Sequence, residues 1–348
     1  MHSVILKNDA VGDLVPSLPA INNIIYSKNN KKVTIFLSER SKKFNFLVDA
    51  PNVEVKIINY NLSFFEKISL FVYIFRNKID NIYILSPKNF YFYLPVFFRK
   101  IKFFALCVNN INNYKRPNIF LRKFLFKYVI NERHKTFKRE STKSIQNRLT
   151  ASDSLIHKDK NYKIHLKNSS KLFRYLPDKY LYFHYRKKRF ESLNWRLNEL
   201  NLLLKEFTKY YENIVFTKDN LKDENSSIFK NIYNSYDFKT DKFVNRKKNI
   251  IFLDNIEGID LFNVIGHSSK VVAFHGMMTG IASLFKKPVL DLFHIDVLIE
   301  NMDWESYRRT TNFFYEFKPV YKNYDFIIPQ KNFIKTLKKM KFSLKGNS

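Results

Sequence analysis

At 348 residues the chain exceeds the ~250–300 residues that one hydrophobic core usually organises, so two domains are expected. Hydrophobic residues make up 45%, enough to fill two cores, which excludes a disordered chain. Its 61 Lys and Arg against 31 Asp and Glu leave a net charge of +30. That excess points to an anionic partner such as nucleic acid, a membrane surface or a phosphorylated ligand. The chain is also rich in Asn, Ile, Phe and Tyr, which with Lys are residues of AT-rich codons, so genome composition competes as the source of the charge. The single cysteine, Cys107, excludes an intramolecular disulfide and a CxxC zinc site. Its apolar setting from Phe103 to Val108 reads as a buried strand with a packed thiol. Residues 1–20 lack a signal-peptide pattern, because Lys7, Asp9 and Asp13 interrupt the apolar run. The apolar stretches 62–75 and 90–108 are broken by Glu66 and Lys67, and by Arg99, Lys100 and Lys102. A span needs ~20 nearly uncharged residues, so a cytoplasmic protein is expected, able to sit on the inner membrane from that side.

In chain order, Val4-Ile5-Leu6 predicts a strand and 15–27 a helix opening near Pro16. Strands follow at 33–37 and 53–58, an apolar helix at 63–76, a strand at 82–85, a helix at 88–98 and a strand at 103–108. Residues 110–175 are polar, basic and poorly periodic, with a Lys, Arg, Ser and Thr-rich surface segment at 132–148, and hold the domain boundary. The alternation resumes with a strand at 179–184 and a long helix at 192–211. Strands at 214–216, 250–253, 271–274 and 288–293 and helices at 259–267 and 277–286 complete it. Strand–helix alternation implies crossover connections, and hence two parallel-sheet α/β domains, 1–165 and 166–348, facing a cleft.

Three segments carry candidate chemistry. In Leu6 to Pro16 a loop leaves the first strand with Asn8, Gly12 and Asp13. A carboxylate there is placed to take a proton from a hydroxyl; the competing role for Asp13 is an N-cap of helix 15–27. In Val271 to Ser283 a strand ends in His275-Gly276 and a helix begins, aiming backbone N–H groups and a dipole at a diphosphate or ribose. Gly276 would let the backbone approach a ligand and Thr279 would add a hydroxyl; an ordinary turn with a hydrogen-bonded histidine is the alternative. His184-Tyr185-Arg186-Lys187-Lys188-Arg189 ends the first strand of the second half, where the cations suit a diphosphate or form a solvated loop. The sequence lacks G-x-G-x-x-G, G-x-S-x-G, G-x-x-x-x-G-K-[ST] and H-E-x-x-H. Trp195 and Trp304 read as packing residues.

The order of these segments resembles the heptosyltransferases of glycosyltransferase family 9, which have the GT-B fold. The resemblance rests on Val4-Ile5-Leu6, Gly12-Asp13, Pro16 and Leu18-Pro19-Ala20 at the start. It continues with Tyr180 to His184, Lys187 or Lys188 and Trp195, and then Val271 to Phe274, Ala282, Pro288 and Val289 to Phe293. His275-Gly276-Met277 stands where that family has Asp-Thr-Gly, and Gly280 where its His falls. The resemblance implies an inverting transfer of a sugar from a nucleotide-diphosphate donor to a lipopolysaccharide or related glycan. Asp13 would be the base, Asn8 and Gly12 would lie on the acceptor side, and His184, Arg186, Lys187, Lys188, His275, Gly276 and Thr279 would hold the donor. Cations and a helix N-terminus would take up the leaving charge, with no cofactor and no metal ion. The partners implied are a nucleotide sugar, a glycolipid acceptor and an anionic membrane surface, with no nucleic acid. Other GT-B-like transferases of surface polysaccharide, for pyruvyl or fucosyl transfer, share the architecture. A catalytically inert scaffold on a membrane is a further reading. A basic nucleic-acid-binding protein would gather its cations with aromatics on one face, whereas these are dispersed.

Overall fold

The structure, a computed structural model, describes residues 1–86, 88–108, 126, 128–132, 174–219, 225–256, 258–293 and 324–345. The chain divides into two compact units, one built on Met1–Ile164 and the other on His165–Thr310 with Phe317–Ser348. The boundary expected at 165/166, the segment 132–148 beyond its first residue and Trp304 lie outside the described residues.

Among the described residues the first unit holds six parallel strands, β1 (His2–Lys7), β2 (Lys32–Ser38), β3 (Val53–Ile58), β4 (Asn81–Ile84), β5 (Lys102–Val108) and β6 (Tyr128–Glu132), in the order β3-β2-β1-β4-β5-β6. Strands covered on both faces need near-continuous apolar runs, and Val33 to Leu37 and Ile82 to Ile84 are buried without alternation. The expected helix 15–27 is instead α1 (Val11–Leu14), a 3₁₀ turn Val15–Ser17 and α2 (Leu18–Ile25). Prolines at 16 and 19 fall in the first turn of each new segment, where a missing N–H is tolerated. α3 (Phe64–Arg76) starts at a capping box: the Ser63 hydroxyl accepts from the Glu66 N–H at 3.2 Å, and Glu66 Oε2 accepts from the Ser63 N–H at 2.8 Å. The helix expected at 88–98 resolves into a 3₁₀ segment Asn89–Tyr93 and α4 (Leu94–Phe97). β5 contains Cys107, whose side chain is outside the described residues. β6 comes from a segment with no periodic signal; its backbone pairs with β5 from Phe104↔Tyr128 to Val108↔Glu132.

Among the described residues the second unit holds eight strands in the order β10-β9-β11-β8-β7-β12-β13-β14. They are β7 (Leu181–Tyr185), β8 (Ile214–Lys218), β9 (Asn234–Asp237), β10 (Lys242–Val244), β11 (Ile250–Asp254), β12 (Lys270–Phe274), β13 (Val289–Leu292) and β14 (Tyr324–Ile327). Pairing is parallel except between β9 and β10. The helices are α5 (Lys187–Ser192), α6 (Leu197–Phe207), α7 (Asn225–Ile232), α8 (Gly258–His267), α9 (Met277–Leu284) and α10 (Phe333–Lys345). The single helix expected at 192–211 is therefore two. Asn194, at φ 59°, turns the chain, and the fully packed Trp195 locks the break by donating its Nε1–H to the Gln330 and Lys331 carbonyls at 3.1 and 3.3 Å. Its ring packs edge-on against Phe190 and Phe333, the packing role expected of it.

In each sheet the strand order reverses beside the first strand, at β1/β4 and at β7/β12. Crossovers leave in opposite directions there, opening a crevice past the carboxyl ends of the strands where ligands bind in open α/β sheets. Both crevices collect polar residues from the candidate segments.

Candidate active site

At the β1/β4 reversal the chain leaves β1 through Asn8 and Asp9, and leaves β4 through Ser86. Asn8 is fully buried and spans the rim, donating from Nδ2 to the Asn59 and Tyr60 carbonyls at 3.0 and 3.2 Å while its Oδ1 accepts from the Tyr91 hydroxyl at 2.9 Å. It thus holds the loop in place. Asp9 Oδ2 accepts from Lys7 Nζ at 2.8 Å and from the Ser86 hydroxyl at 2.5 Å, and Lys88 Nζ stands 3.8 Å from Oδ1. Lys88 Nζ also lies 3.7 Å from the centre of the Tyr60 ring, a cation–π contact.

Asp13 is exposed in α1 beside this cluster, as is Gly12. None of the nearby N-caps, Ala10, Leu14 and Ser17, is Asp13 or carries a side-chain cap bond, so the capping role does not apply. Gly12 is absent from the described residues with positive φ, so its backbone does not need glycine.

The two aspartates diverge. Burial alone would raise the Asp9 pKa, but Lys7, Ser86 and Lys88 together hold it below the usual carboxylate range. For Asp13, desolvation by the surrounding atoms raises the pKa, the Asp9 charge adds to this, and Lys7 and Lys88 only partly oppose it. Two carboxylates pushed apart in this way separate a permanent anion from a proton acceptor poised closer to neutrality.

At the β7/β12 reversal the candidates sort differently. His184 is buried with both ring nitrogens engaged, Nδ1 2.8 Å from Thr217 Oγ1 and Nε2 3.3 Å from Asp219 Oδ1. Burial lowers its pKa, so a neutral ring buttresses Asp219. Arg186 stands at the end of β7, with Nε 3.6 Å from Asp219 Oδ1 and Nη1 donating to the His275 carbonyl at 3.5 Å. Lys187 and Lys188 lie in the first turn of α5, not in a loop; Lys187 pairs with Glu191 across a turn at 3.8 Å and Lys188 is exposed.

His275 and Gly276 link β12 to α9. Gly276 is the N-cap at φ 150°, a conformation L side chains rarely adopt, while a Cβ there would meet Arg186 Nη1 at an ordinary 3.7 Å. Glycine is required by the backbone angle, not by crowding. Thr279 is buried, its hydroxyl accepting from the Gly276 N–H at 2.9 Å and donating to the Gly276 carbonyl at 3.0 Å. It shapes the helix start. His275 Nδ1 lies 2.6 Å from Oδ2 of the fully buried Asp291, which also accepts from the Tyr324 hydroxyl at 2.6 Å. Such a pair fixes the tautomer and orientation of the ring. Sequence reasoning passed over Asp9, Asp219 and Asp291. Asp291 had a signal, as an acid inside the apolar run Val289 to Phe293.

The second rim therefore brings together Arg186, His275 and the start of α9, and sets His184, Thr279 and Lys187 on internal partners. A guanidinium, an imidazole and a helix N-terminus suit a di-anionic group.

Two parallel-sheet α/β domains with a ligand crevice at each reversal define the GT-B fold. Along its full length the chain is similar to Escherichia coli heptosyltransferase WaaC solved with ADP, at TM-score 0.63 and 12% identity, covering 100% of both chains. It is similar to E. coli ADP-heptose lipopolysaccharide heptosyltransferase II at TM-score 0.62 and 11% identity, covering 99% of each. UDP-GlcNAc 2-epimerase from Methanocaldococcus jannaschii shares the fold at TM-score 0.56 and 13% identity, covering 100% of this chain and 94% of that one. No protein-family model and no curated protein sequence matches.

Proposed function

We propose that the protein is an inverting glycosyltransferase that moves a sugar from a nucleotide-diphosphate donor to a hydroxyl of a lipopolysaccharide or related cell-envelope glycolipid, working on the cytoplasmic face of the membrane. The observation that carries this reading is the contrast between the two rims. One holds the exposed Asp13 beside the Asp9–Lys7 pair; the other sets Arg186 and His275 beside the start of α9, an arrangement that suits a diphosphate. Asp13 takes the proton of the acceptor hydroxyl as its oxygen bonds to the anomeric carbon. The bond from that carbon to the diphosphate breaks on the opposite side, inverting the centre. Arg186, His275 and the α9 N–H groups receive the charge that develops on the departing diphosphate. The heptosyltransferase neighbour was solved with ADP, which supports a nucleotide donor.

A thermal-shift panel of nucleotide sugars that includes ADP-heptose and UDP-GlcNAc tests this reading. A true donor at 100 times its Kd should stabilise the protein by ~2.7 kcal/mol and raise its melting temperature by several degrees. Arg186→Ala should weaken that donor ~10-fold or more, because a charge-assisted bond is lost. The pair Lys187→Ala and Lys188→Ala should cost less, since Lys187 is spent on Glu191. A panel with no stabilising nucleotide sugar removes the donor reading.

A further inference from the structure

One face of α3 stands open. Leu70 and Ile74 pack on the sheet, while Phe64, Ile68, Val72 and Phe75 fall at helical spacing along a separate stripe. Phe64, Phe65 and Phe75 are 71%, 78% and 77% exposed. Phe97 of α4, 66% exposed, extends the patch through Phe71, whose ring centre lies 5.4 Å from its own. Single exposed apolar residues are ordinary; an apolar stripe along a whole helix is not.

Around it exposed cations outnumber acids. Arg76, Lys78, Arg99 and Lys100 are exposed nearby. Two acids share the stretch, Glu66 in the capping box and Asp80, which accepts from the His2 N–H at 2.7 Å. A second copy of the chain fits poorly, because a two-fold interface would set these cations against themselves. Aromatics ringed by Lys and Arg suit the headgroup boundary of an anionic bilayer. Among the described residues no helix is long and apolar enough to cross a membrane, so such contact would be lateral.

We infer that α3 and α4 dock the protein on an anionic lipid surface, with Phe64, Phe65, Phe75 and Phe97 entering the headgroup boundary and Arg76, Lys78, Arg99 and Lys100 over the headgroups. The start of α3 is tied to the rim that carries Asp13. Glu66 accepts from the Asn59 N–H and Nδ2 at 2.7 and 3.0 Å, and the Asn59 carbonyl accepts from Asn8 Nδ2 at 3.0 Å. A lipid-anchored acceptor would thus meet the Asp13 rim without leaving the bilayer, a consequence that rests on the transfer reading, whereas the docking itself does not.

Co-sedimentation of the full chain with phosphatidylcholine vesicles, with and without phosphatidylglycerol, tests this in the absence of any substrate. Binding should be on the order of 10-fold or more tighter to the phosphatidylglycerol vesicles and should weaken as salt rises. The triple variant Phe64→Ser, Phe65→Ser, Phe75→Ser should lose binding ~10-fold or more while keeping its melting temperature and donor affinity, since these rings are exposed. Arg99→Glu with Lys100→Glu should reduce the preference for phosphatidylglycerol, with Arg76 and Lys78 left in place. Equal binding to both vesicle types, or a triple variant that binds like the parent, overturns the inference. So does a parent dimer that the triple variant turns into a monomer without change in vesicle binding, which would assign the patch to self-association. A chain that binds vesicles as expected but no nucleotide sugar would sink the transferase reading and leave the docking surface standing.

Discussion

Asp13→Asn should lose ~10²–10⁴-fold in kcat/KM for sugar transfer, the usual contribution of a positioned general base, while keeping its affinity for the donor nucleotide. The substitution preserves shape and removes only the oxygen that takes the proton. Its effect on stability has a definite sign. The Asp13 pKa is raised in the folded protein, chiefly by desolvation, so the folded state binds the proton more tightly than the unfolded chain. Stability therefore falls as pH rises from the unfolded pKa through the folded one. Asparagine removes that penalty, so the variant should melt at the same temperature as the parent or slightly higher at pH 7. Loss of activity with no loss of stability is what distinguishes a base from a strut. The parent's kcat/KM should also climb with pH above the ordinary carboxylate range, and the variant's profile should lose that limb. Turnover and melting measured across pH decide the matter; normal turnover in Asp13→Asn removes the base from the mechanism.

The parts of the fold that were legible in the sequence are those that bury both faces of a strand. Val33 to Leu37 and Val271 to Phe274 read as strands, and the segments with Gly12-Asp13 and His275-Gly276 follow the strands beside which the sheet order reverses. What stayed hidden has physical causes. β6 lies in a chain segment whose composition offers no period, so only its pairing with β5 reveals it. The break between α5 and α6 depends on Asn194 adopting a left-handed angle that a leucine-rich pattern masks. Within the second site, the sequence marked which residues end a strand but not which way they point. His184 lies within the strand against Thr217 and Asp219, while Arg186, just past the strand end, shares Asp219 and reaches the His275 carbonyl. Thr279 reads as a donor hydroxyl until its two bonds to Gly276 are seen. The roles of Asp9 and Asp291 arise from partners distant in sequence, Ser86 and Lys88 for one, His275 and Tyr324 for the other.

Asp9→Ala should be the most destabilising of the substitutions considered, costing ~3–5 kcal/mol, because it strands Lys7 as an uncompensated charge in the interior. Lys7 is 3% exposed and has Asp9 at 2.8 Å. Adding Lys7→Met should recover much of the loss, since the buried charge then disappears with its partner. The pH dependence follows from the lowered Asp9 pKa. Above the unfolded value of about 3.9 the carboxylate is ionised in both states and its contribution is complete; as pH falls through the folded value it protonates and the contribution is lost. The gap in melting temperature between parent and Asp9→Ala should therefore hold steady from pH 7 to about 4 and narrow below that. The same substitution reaches the chemistry. Without Asp9, the charges of Lys7 and Lys88 act on Asp13 unopposed, and the repulsion that helped raise its pKa is gone. The rising limb of the kcat/KM profile should then move to lower pH in Asp9→Ala, measured at a temperature where the variant is folded. A limb that stays in place while the melting temperature drops would show that Asp9 braces the loop without tuning the base, and that the raised pKa of Asp13 comes from desolvation alone.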